Sequence, residues 1–156
     1  RVEARDLQNT AKVVNELLVE LFNEILTIEK AALQESPFKD LSITEMHVIE
    51  AIGMGSRTMT DVADQLGITV GTLTTSINRL VKKEYVTRQR SEDDRRYVEI
   101  ALAHKGKLAY RVHENFHQVM VNNMIDGLSN EDNEVLIASL TRLSNFFKEK
   151  YHLVKK

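Results

Sequence analysis

Hydrophobic residues recur every three or four positions along most of the chain, which is the spacing of one face of an α-helix. The first such segment extends from about residue 7 to residue 33 and predicts one long amphipathic helix. Pro37 follows and breaks the chain, because proline cannot continue a helix. The apolar positions of this segment are Val14, Leu17, Leu18, Leu21, Phe22, Ile25, Leu26 and Ile28.

Capping residues predict three shorter helices in the middle of the chain. Residues 42–45 have the sequence of a capping box and open a helix that ends before Gly53. Residues 58–67 predict a second short helix, with threonine at its start and glycine at its end. Thr69 caps the third, which extends to about residue 83. The first of these helices is predicted to bury Met46, Ile49 and Ile52.

Two β-rich runs follow at residues 85–89 and 97–102, and the charged residues 91–96 separate them. Two short strands joined by a polar loop predict a β-hairpin. Gly106 is predicted to end the hairpin region.

Two long helices are predicted to complete the chain. One follows Gly106, and the last begins near Ser129, whose hydroxyl stands three residues before Asp132. Their apolar faces are predicted to be Leu108, Val112, Phe116, Val119 and Met120 in the first, and Leu136, Leu140, Leu143, Phe147 and Tyr151 in the second.

The element order predicts a mainly α fold with a small β-hairpin wing, a winged helix-turn-helix. We predict a single domain over residues 1–156, with the winged region at residues 42–106 and dimerisation helices at 1–41 and 107–156. The terminal helices carry more apolar surface than a small central core can cover. Pairing with a second copy of the chain would bury that surface, and an intramolecular bundle is the alternative.

The composition excludes several classes of protein. The chain has no cysteine, which excludes disulfides, zinc ribbons and thiol catalysis. No apolar stretch approaches the roughly 18 residues of a membrane span, and residues 1–5 lack a signal-peptide pattern, so a cytoplasmic protein is expected. No glycine-rich phosphate loop or catalytic motif is recognisable, so we do not expect an enzyme.

The formal net charge of −2 argues against nucleic-acid binding until its distribution is considered. Residues 1–57 carry six basic and ten acidic side chains, whereas residues 69–96 carry seven basic and four acidic side chains. Attraction to DNA depends on the field at the contact face, because salt screens charges beyond about 10 Å. The local positive excess therefore favours DNA as a partner.

The helix predicted from Thr69 to about residue 83 separates an apolar face from a small polar and basic face. Val70, Leu73, Ile77 and Leu80 share the apolar face. Short side chains opposite allow the backbone to approach base edges in the major groove of DNA. The candidate contacts on this helix are Thr69, Gly71, Thr72, Thr75, Asn78, Arg79 and Lys82.

Within that face, the side-chain chemistry suggests different roles. Thr72 and Thr75 can exchange hydrogen bonds with bases and touch thymine methyls, and Asn78 can read adenine. Arg79 and Lys82 suit phosphates, and Arg79 could alternatively reach a guanine. The alternative is an ordinary solvated helix face, which any surface helix has.

The hairpin loop adds Asp94, Arg95 and Arg96 as candidates. An arginine at a narrow loop tip can enter the minor groove, where the potential is most negative. The alternative is a charged turn with local ion pairs worth about 0 to 1 kcal/mol each.

Residues 91–96, with Leu102 and the Lys105-Gly106 pair after them, resemble the wing of the MarR family of regulators. The resemblance extends over nearly the whole chain. It implies a homodimeric repressor on a palindromic site in double-stranded DNA. Arg96 would enter the minor groove with Asp94 as its positioning partner, and Thr75 would make a principal contact of the recognition helix. Two departures from the family pattern are glutamate at 84, where glycine is common, and alanine at 103, where threonine is usual.

Within the family, residues 38–47, 71–76 and 113–117 resemble the fatty-acid-biosynthesis repressors (FabT-like) of Gram-positive bacteria. This resemblance implies repression of fatty-acid synthesis genes, strengthened by long-chain acyl groups on acyl carrier protein. Acyl-acyl carrier protein would then act as the corepressor.

A group of histidines admits two interpretations. His113 and His117 lie one helical turn apart, which suits the binding of one metal ion. Glu29 and His47 occupy positions that resemble a metal site of zinc-responsive members of the same family, so the four residues suggest a zinc-responsive repressor. The alternative is a hydrogen-bonded network or an effector pocket without metal. A helical protein-interaction module that does not bind DNA remains the rival to both regulator hypotheses.

Overall fold

The structure is a computed structural model that describes residues 4–151. It is mainly α-helical with a small antiparallel sheet, which confirms the predicted fold class. The ends of the domain predicted over 1–156, residues 1–3 and 152–156, lie outside the described residues. The elements are α1 (Ala4–Glu35), α2 (Ile43–Ile52), β1 (Arg57–Thr58), α3 (Met59–Leu66), α4 (Val70–Lys82), β2 (Val86–Arg90), β3 (Val98–Leu102), α5 (His104–Ile125) and α6 (Asn130–Lys150).

Cap hydrogen bonds confirm three of the predicted helix starts. The Thr58 and Thr69 hydroxyls, at the starts of α3 and α4, each accept the backbone N–H three residues further along at 3.1 Å. Ser129 and Asp132 form a reciprocal capping box at the start of α6. Each cap satisfies N–H groups that the first turn of a helix leaves without an intrahelical partner.

The predicted hairpin is present, and β1 adds a third strand on the other side of β3. β1 pairs Arg57 with Ile100 and Thr58 with Glu99. A strand of two residues is too short to show a hydrophobic alternation, and Thr58 is also the cap of α3. The sequence pattern therefore indicated the helix start at this position and missed the strand.

The apolar face of α4 is buried as its spacing predicted, except at its first residue. Leu73, Ile77 and Leu80 have no measurable exposure. Val70 was predicted on the same face but is 43% exposed, because the first turn of α4 borders a groove beside the wing. Other large side chains that are fully buried in residues 46–102 are Met46, Val48, Ile49, Ile52, Val62, Tyr85 and Ile100.

The chain divides into two compact units, residues 1–45 and 46–156. In the first, α1 exposes much of its apolar stripe, with Phe22 at 73%. In the second, none of residues 130–150, which form α6, is buried. The apolar surfaces of these two terminal helices are therefore exposed in the single chain. No helix within residues 4–151 is long and apolar enough to cross a membrane.

Gly106 lies inside the first turn of α5, so the prediction that it ends the hairpin region was wrong. A Cβ atom at this position would overlap the Tyr85 carbonyl oxygen. The same oxygen accepts the N–H of Ala103 at 2.9 Å, and the Lys105 ammonium lies 4.3 Å from the centre of the Tyr85 ring. Glycine is needed here because the start of α5 packs directly on the backbone between α4 and β2.

Glu84, between α4 and β2, has φ +68°. This left-handed conformation is unstrained for glycine and costs other residues about 1 kcal/mol or more. The departure from the family pattern at this position therefore places a strained residue in the turn. The neighbouring Lys83 and Tyr85 N–H groups still bond to α4 carbonyls at 2.9 Å.

Replacing Gly106 with alanine is expected to lower the free energy of unfolding by about 1–3 kcal/mol, the usual cost of overpacking a tight contact. Chemical denaturation monitored by circular dichroism would measure the change. Gly71→Ala is the matched control, because its Cβ would meet nothing closer than the Thr69 hydroxyl at 3.9 Å. Equal stability of wild type and Gly106→Ala would show that the backbone contact with Tyr85 is not tight.

Replacing Glu84 with glycine is expected to raise the free energy of unfolding by up to about 1 kcal/mol, because glycine removes the strain of the left-handed turn. Glu84→Ala should give no such gain, since alanine also disfavours positive φ. A gain of the same size in both variants would assign the effect to the lost carboxylate.

Candidate nucleic-acid interface

The polar face of α4 is exposed, opposite the buried stripe formed by Leu73, Ile77 and Leu80. The buried side chains fix the rotation of the helix, so the polar side chains have to face away from the core. The candidates predicted here that lie on this exposed face are Thr69, Gly71, Thr72, Thr75, Asn78, Arg79 and Lys82.

The threonine hydroxyls at the start of α4 are held by local hydrogen bonds. The Thr69 hydroxyl donates to the Thr72 hydroxyl oxygen at 2.9 Å and accepts the Thr72 N–H at 3.1 Å. This arrangement leaves the Thr72 hydroxyl proton available to donate outward. The Thr75 hydroxyl lies 3.4 Å from the Gly71 carbonyl oxygen, a long contact that a better partner can replace.

Asn78 has a partner that the sequence did not indicate. Its Oδ1 accepts a hydrogen bond from Arg88 Nη1 at 2.7 Å, which links α4 to β2. Arg88 alternates with Val86 and Arg90, so all three share one face of β2. The alternation was visible in the sequence, but the approach of β2 to Asn78 is a tertiary contact that no local pattern encodes.

The wing loop is held by an ion pair between Asp94 and Arg96. The Arg96 guanidinium donates Nη2–H to Asp94 Oδ2 at 2.7 Å and Nε–H to Oδ1 at 3.0 Å. The Arg96 backbone N–H also donates to Oδ1 at 3.1 Å. These side-chain and backbone hydrogen bonds from Arg96 hold the pKa of the Asp94 carboxyl below its usual value, and the carboxylate raises the pKa of Arg96.

Other bonds order the loop around that pair. Arg90 Nη1 donates to the carbonyl of Arg95 at 2.9 Å, and the Ser91 N–H donates to the carbonyl of Tyr97 at 3.0 Å. Arg95 and Arg96 remain exposed. The Arg96 side chain is 85% exposed although it is paired, so the loop presents an oriented cation to the outside.

A groove of about 360 Å³ lies between the start of α4 and the wing. Arg88 and Arg96 line it on the wing side, and Val70 and Thr74 line it on the α4 side. The exposed helix face and the cationic loop are therefore neighbours on one surface. A polar helix beside a cationic loop is the arrangement expected of a winged helix-turn-helix that reads DNA.

The histidine cluster is partly as predicted. The Nε2 atoms of His113 and His117 lie 2.9 Å apart, and the His47 ring centre lies 6.2 Å from that of His113. Glu50 was missed, although it follows His47 by three residues on α2. Its Oε2 lies 2.6 Å from His113 Nε2 and 3.9 Å from His117 Nε2. Glu29 lies on α1, in the first unit.

A small cavity of about 130 Å³ opens beside these residues. Glu50, Tyr110, His113, Glu114 and His117 line it. Carboxylate, imidazole and phenol groups are among its lining side chains.

A sequence model of the MarR family matches residues 39–96. The structure of Streptococcus pneumoniae FabT in complex with DNA is 44% identical, with a TM-score of 0.81, and the match covers 89% of this chain and 98% of that one. A MarR protein from Peptoclostridium difficile matches with a TM-score of 0.70 at 17% identity, covering 91% and 92% of the two chains. That likeness shows the fold.

Among curated sequences, the HTH-type transcriptional regulator YfiV of Bacillus subtilis is 29% identical over 107 residues. The match covers 67% of this chain and 66% of that protein, and so spans slightly less than two thirds of its length.

The ion pair in the wing is expected to depend on pH. Because the pKa of Asp94 is lowered in the folded protein, the contact is present at and above the usual carboxyl pKa and is lost as pH falls through the lowered value. A titration of the Asp94 carboxyl carbon by NMR would measure the midpoint. In Arg96→Met the midpoint should rise toward that of a free aspartate; an unchanged midpoint would contradict the pairing.

Proposed function

The chain belongs to the MarR family of transcriptional regulators, and on that basis we propose that it represses fatty-acid biosynthesis genes from a palindromic operator in double-stranded DNA. The observation that carries the proposal is the 44% identity to FabT over 98% of that chain. The motifs at residues 38–47, 71–76 and 113–117, which resemble the FabT-like repressors, support the same assignment.

In this proposal α4 enters the major groove. Gly71 lets the helix backbone approach the base edges, and the exposed Thr72, Thr75 and Asn78 read bases. Arg79 and Lys82 contact phosphates and set the register of the helix on the duplex. The exposed side-chain chemistry of α4 supports these roles.

The wing contributes a second contact, in the minor groove. Arg96 inserts its guanidinium there, with Asp94 holding it in the orientation described above and Arg95 beside it. The guanidinium and its carboxylate partner are pre-arranged on the loop, so little side-chain entropy is lost on binding.

The functional unit in this proposal is a homodimer. The exposed apolar stripes on α1 and α6, including Phe22, Leu140 and Phe147, are the surfaces that a second copy would cover. A two-fold dimer places two α4 helices in successive major grooves and so requires a palindromic site.

The corepressor in this proposal is a long-chain acyl group carried by acyl carrier protein. It acts by binding the form of the repressor that binds DNA more tightly than the form that does not. This difference raises the apparent affinity of the repressor for the operator.

Fluorescence anisotropy on duplexes from the promoters of fatty-acid synthesis genes, with genome-wide mapping of bound sites, tests this function. We expect specific binding that falls steeply with salt and strengthens when acyl-acyl carrier protein, but not the unacylated carrier, is added. Specific binding at unrelated promoters would overturn the lipid assignment and leave the regulator class intact. No binding to any duplex would favour a helical protein-interaction module.

A metal-responsive repressor is the second candidate, favoured by one observation. Glu50 Oε2, His113 Nε2 and His117 Nε2 converge within 3.9 Å of one another. The three donors are of the oxygen and nitrogen types that zinc accepts, at separations comparable with those around a zinc ion. Zinc bound there would join α2 to α5, next to the region that carries α4.

Isothermal titration with zinc, using the chain stripped of metal, tests this candidate. One ion per chain with a loss of affinity in His117→Ala would support it, and operator binding should then respond to zinc. Less than a tenth of an equivalent in the purified protein, together with no heat on titration, would contradict it. His104→Ala is the control for the loss of a histidine outside the cluster.

The contacts assigned to bases and to phosphates should respond differently to substitution. Thr75→Ala is expected to cost about 1–3 kcal/mol on the operator and little on unrelated DNA, because it removes a base contact. Lys82→Ala should weaken all duplexes alike and reduce the salt slope by about 1. Affinities over a salt series would measure both, and a uniform loss in Thr75→Ala would show that Thr75 does not read bases.

A further inference from the structure

The hydrogen bond between Arg88 and Asn78 fixes the direction of the Asn78 amide. A guanidinium carries only donors, so the atom that faces it has to be the amide oxygen, and the structure has Oδ1 2.7 Å from Arg88 Nη1. The amide nitrogen, with two N–H donors, is thereby turned away from Arg88. Asn78 therefore presents donors on the side that Arg88 leaves open.

Strand register explains how Arg88 reaches this helix. Arg88 pairs with Ile100 across the sheet, and Ile100 has no measurable exposure. Residues opposite each other on neighbouring antiparallel strands point to the same face, so Arg88 leaves the sheet on the face that carries the core. Val86, two residues before, is buried on that face.

Arg88 also lines the groove between α4 and the wing, together with Arg96. Its guanidinium therefore lies between the recognition helix and the loop that carries the minor-groove cation. In that position, Arg88 can couple the orientation of the Asn78 amide to the position of the wing.

We propose that Arg88 is a positioning residue for DNA reading, which holds the Asn78 amide so that its NH₂ group meets hydrogen-bond acceptors on a base. This inference rests on the proposed function, because it needs sequence-specific binding through α4. Guanine O6 and N7, adenine N7 and thymine O4 accept such a bond in the major groove. Cytosine offers a donor at N4 and is disfavoured.

The hydrogen bond from Arg88 changes the base preference expected of Asn78, which from its side-chain chemistry alone could read adenine. A bidentate contact with adenine uses both the donor and the acceptor of the amide, whereas Arg88 already takes one of the two hydrogen bonds that the amide oxygen can accept. The Asn78 contact therefore selects against cytosine more than it selects for adenine. A simple phosphate contact by Arg88 would instead weaken every sequence equally.

The test measures affinities for operators in which each base pair of a half-site is changed in turn. In Asn78→Ala, the affinity ratio that disfavours cytosine at one position of the half-site should fall by about tenfold. Arg88→Gln should lose that preference at the same position, and the double variant should lose no more than either single variant. Arg111→Gln, which removes an exposed charge on α5, is the matched control and should keep the preference.

A uniform loss over all sequences in Arg88→Gln, with the cytosine discrimination kept, would overturn the proposal and make Arg88 a phosphate contact. Additive losses in the double variant would also overturn it, because independent contacts add.

A second measurement keeps the inference testable without DNA. In NMR spectra of the free protein, the side-chain NH₂ signals of Asn78 should move in Arg88→Gln and stay in place in Arg111→Gln. Unmoved signals in both variants would contradict the contact itself. If the wild type fails to bind any operator specifically while these signals move as expected, the proposed function fails and the Arg88–Asn78 contact stands.

Discussion

The burial of one apolar stripe on α4 determines which side chains of this helix are exposed to a binding partner. Leu73, Ile77 and Leu80 are fully buried, and each contributes about 1.5–3 kcal/mol through the apolar area it removes from water. A rotation of α4 about its axis would expose these side chains. The helix is therefore locked at one rotation, and its small polar residues have to face outward, where a nucleic acid can meet them.

A few specific contacts also position the two elements beside α4, which are the wing and the start of α5. The wing is ordered by bonds within its own loop, above all those between Asp94 and Arg96, and by Arg88, which joins β2 to Asn78. The start of α5 packs against the Tyr85 carbonyl, where only glycine at 106 leaves room. The start of α5 is therefore in direct contact with the backbone of the turn that follows α4.

Helix starts, the buried face of α4 and the hairpin followed from local chemistry, because a threonine cap or a 3.6-residue period acts over a few positions. The two-residue strand β1 was missed since its partner, β3, lies some forty residues away. Gly106 was misassigned because its role depends on the Tyr85 backbone, which sequence spacing does not reveal. Arg88 and Glu50 were missed for the same reason: each gains its importance from a side chain on another element.

Chemical footprinting of the operator complex tests most directly the proposal that α4 reads DNA. We expect methylation of guanine N7 to interfere with binding in two symmetric major-groove patches about one helical turn apart. Hydroxyl-radical protection should flank them in the minor groove, and should disappear there in Arg96→Ala. Protection confined to one asymmetric patch, or interference absent from the major groove, would contradict this role for α4.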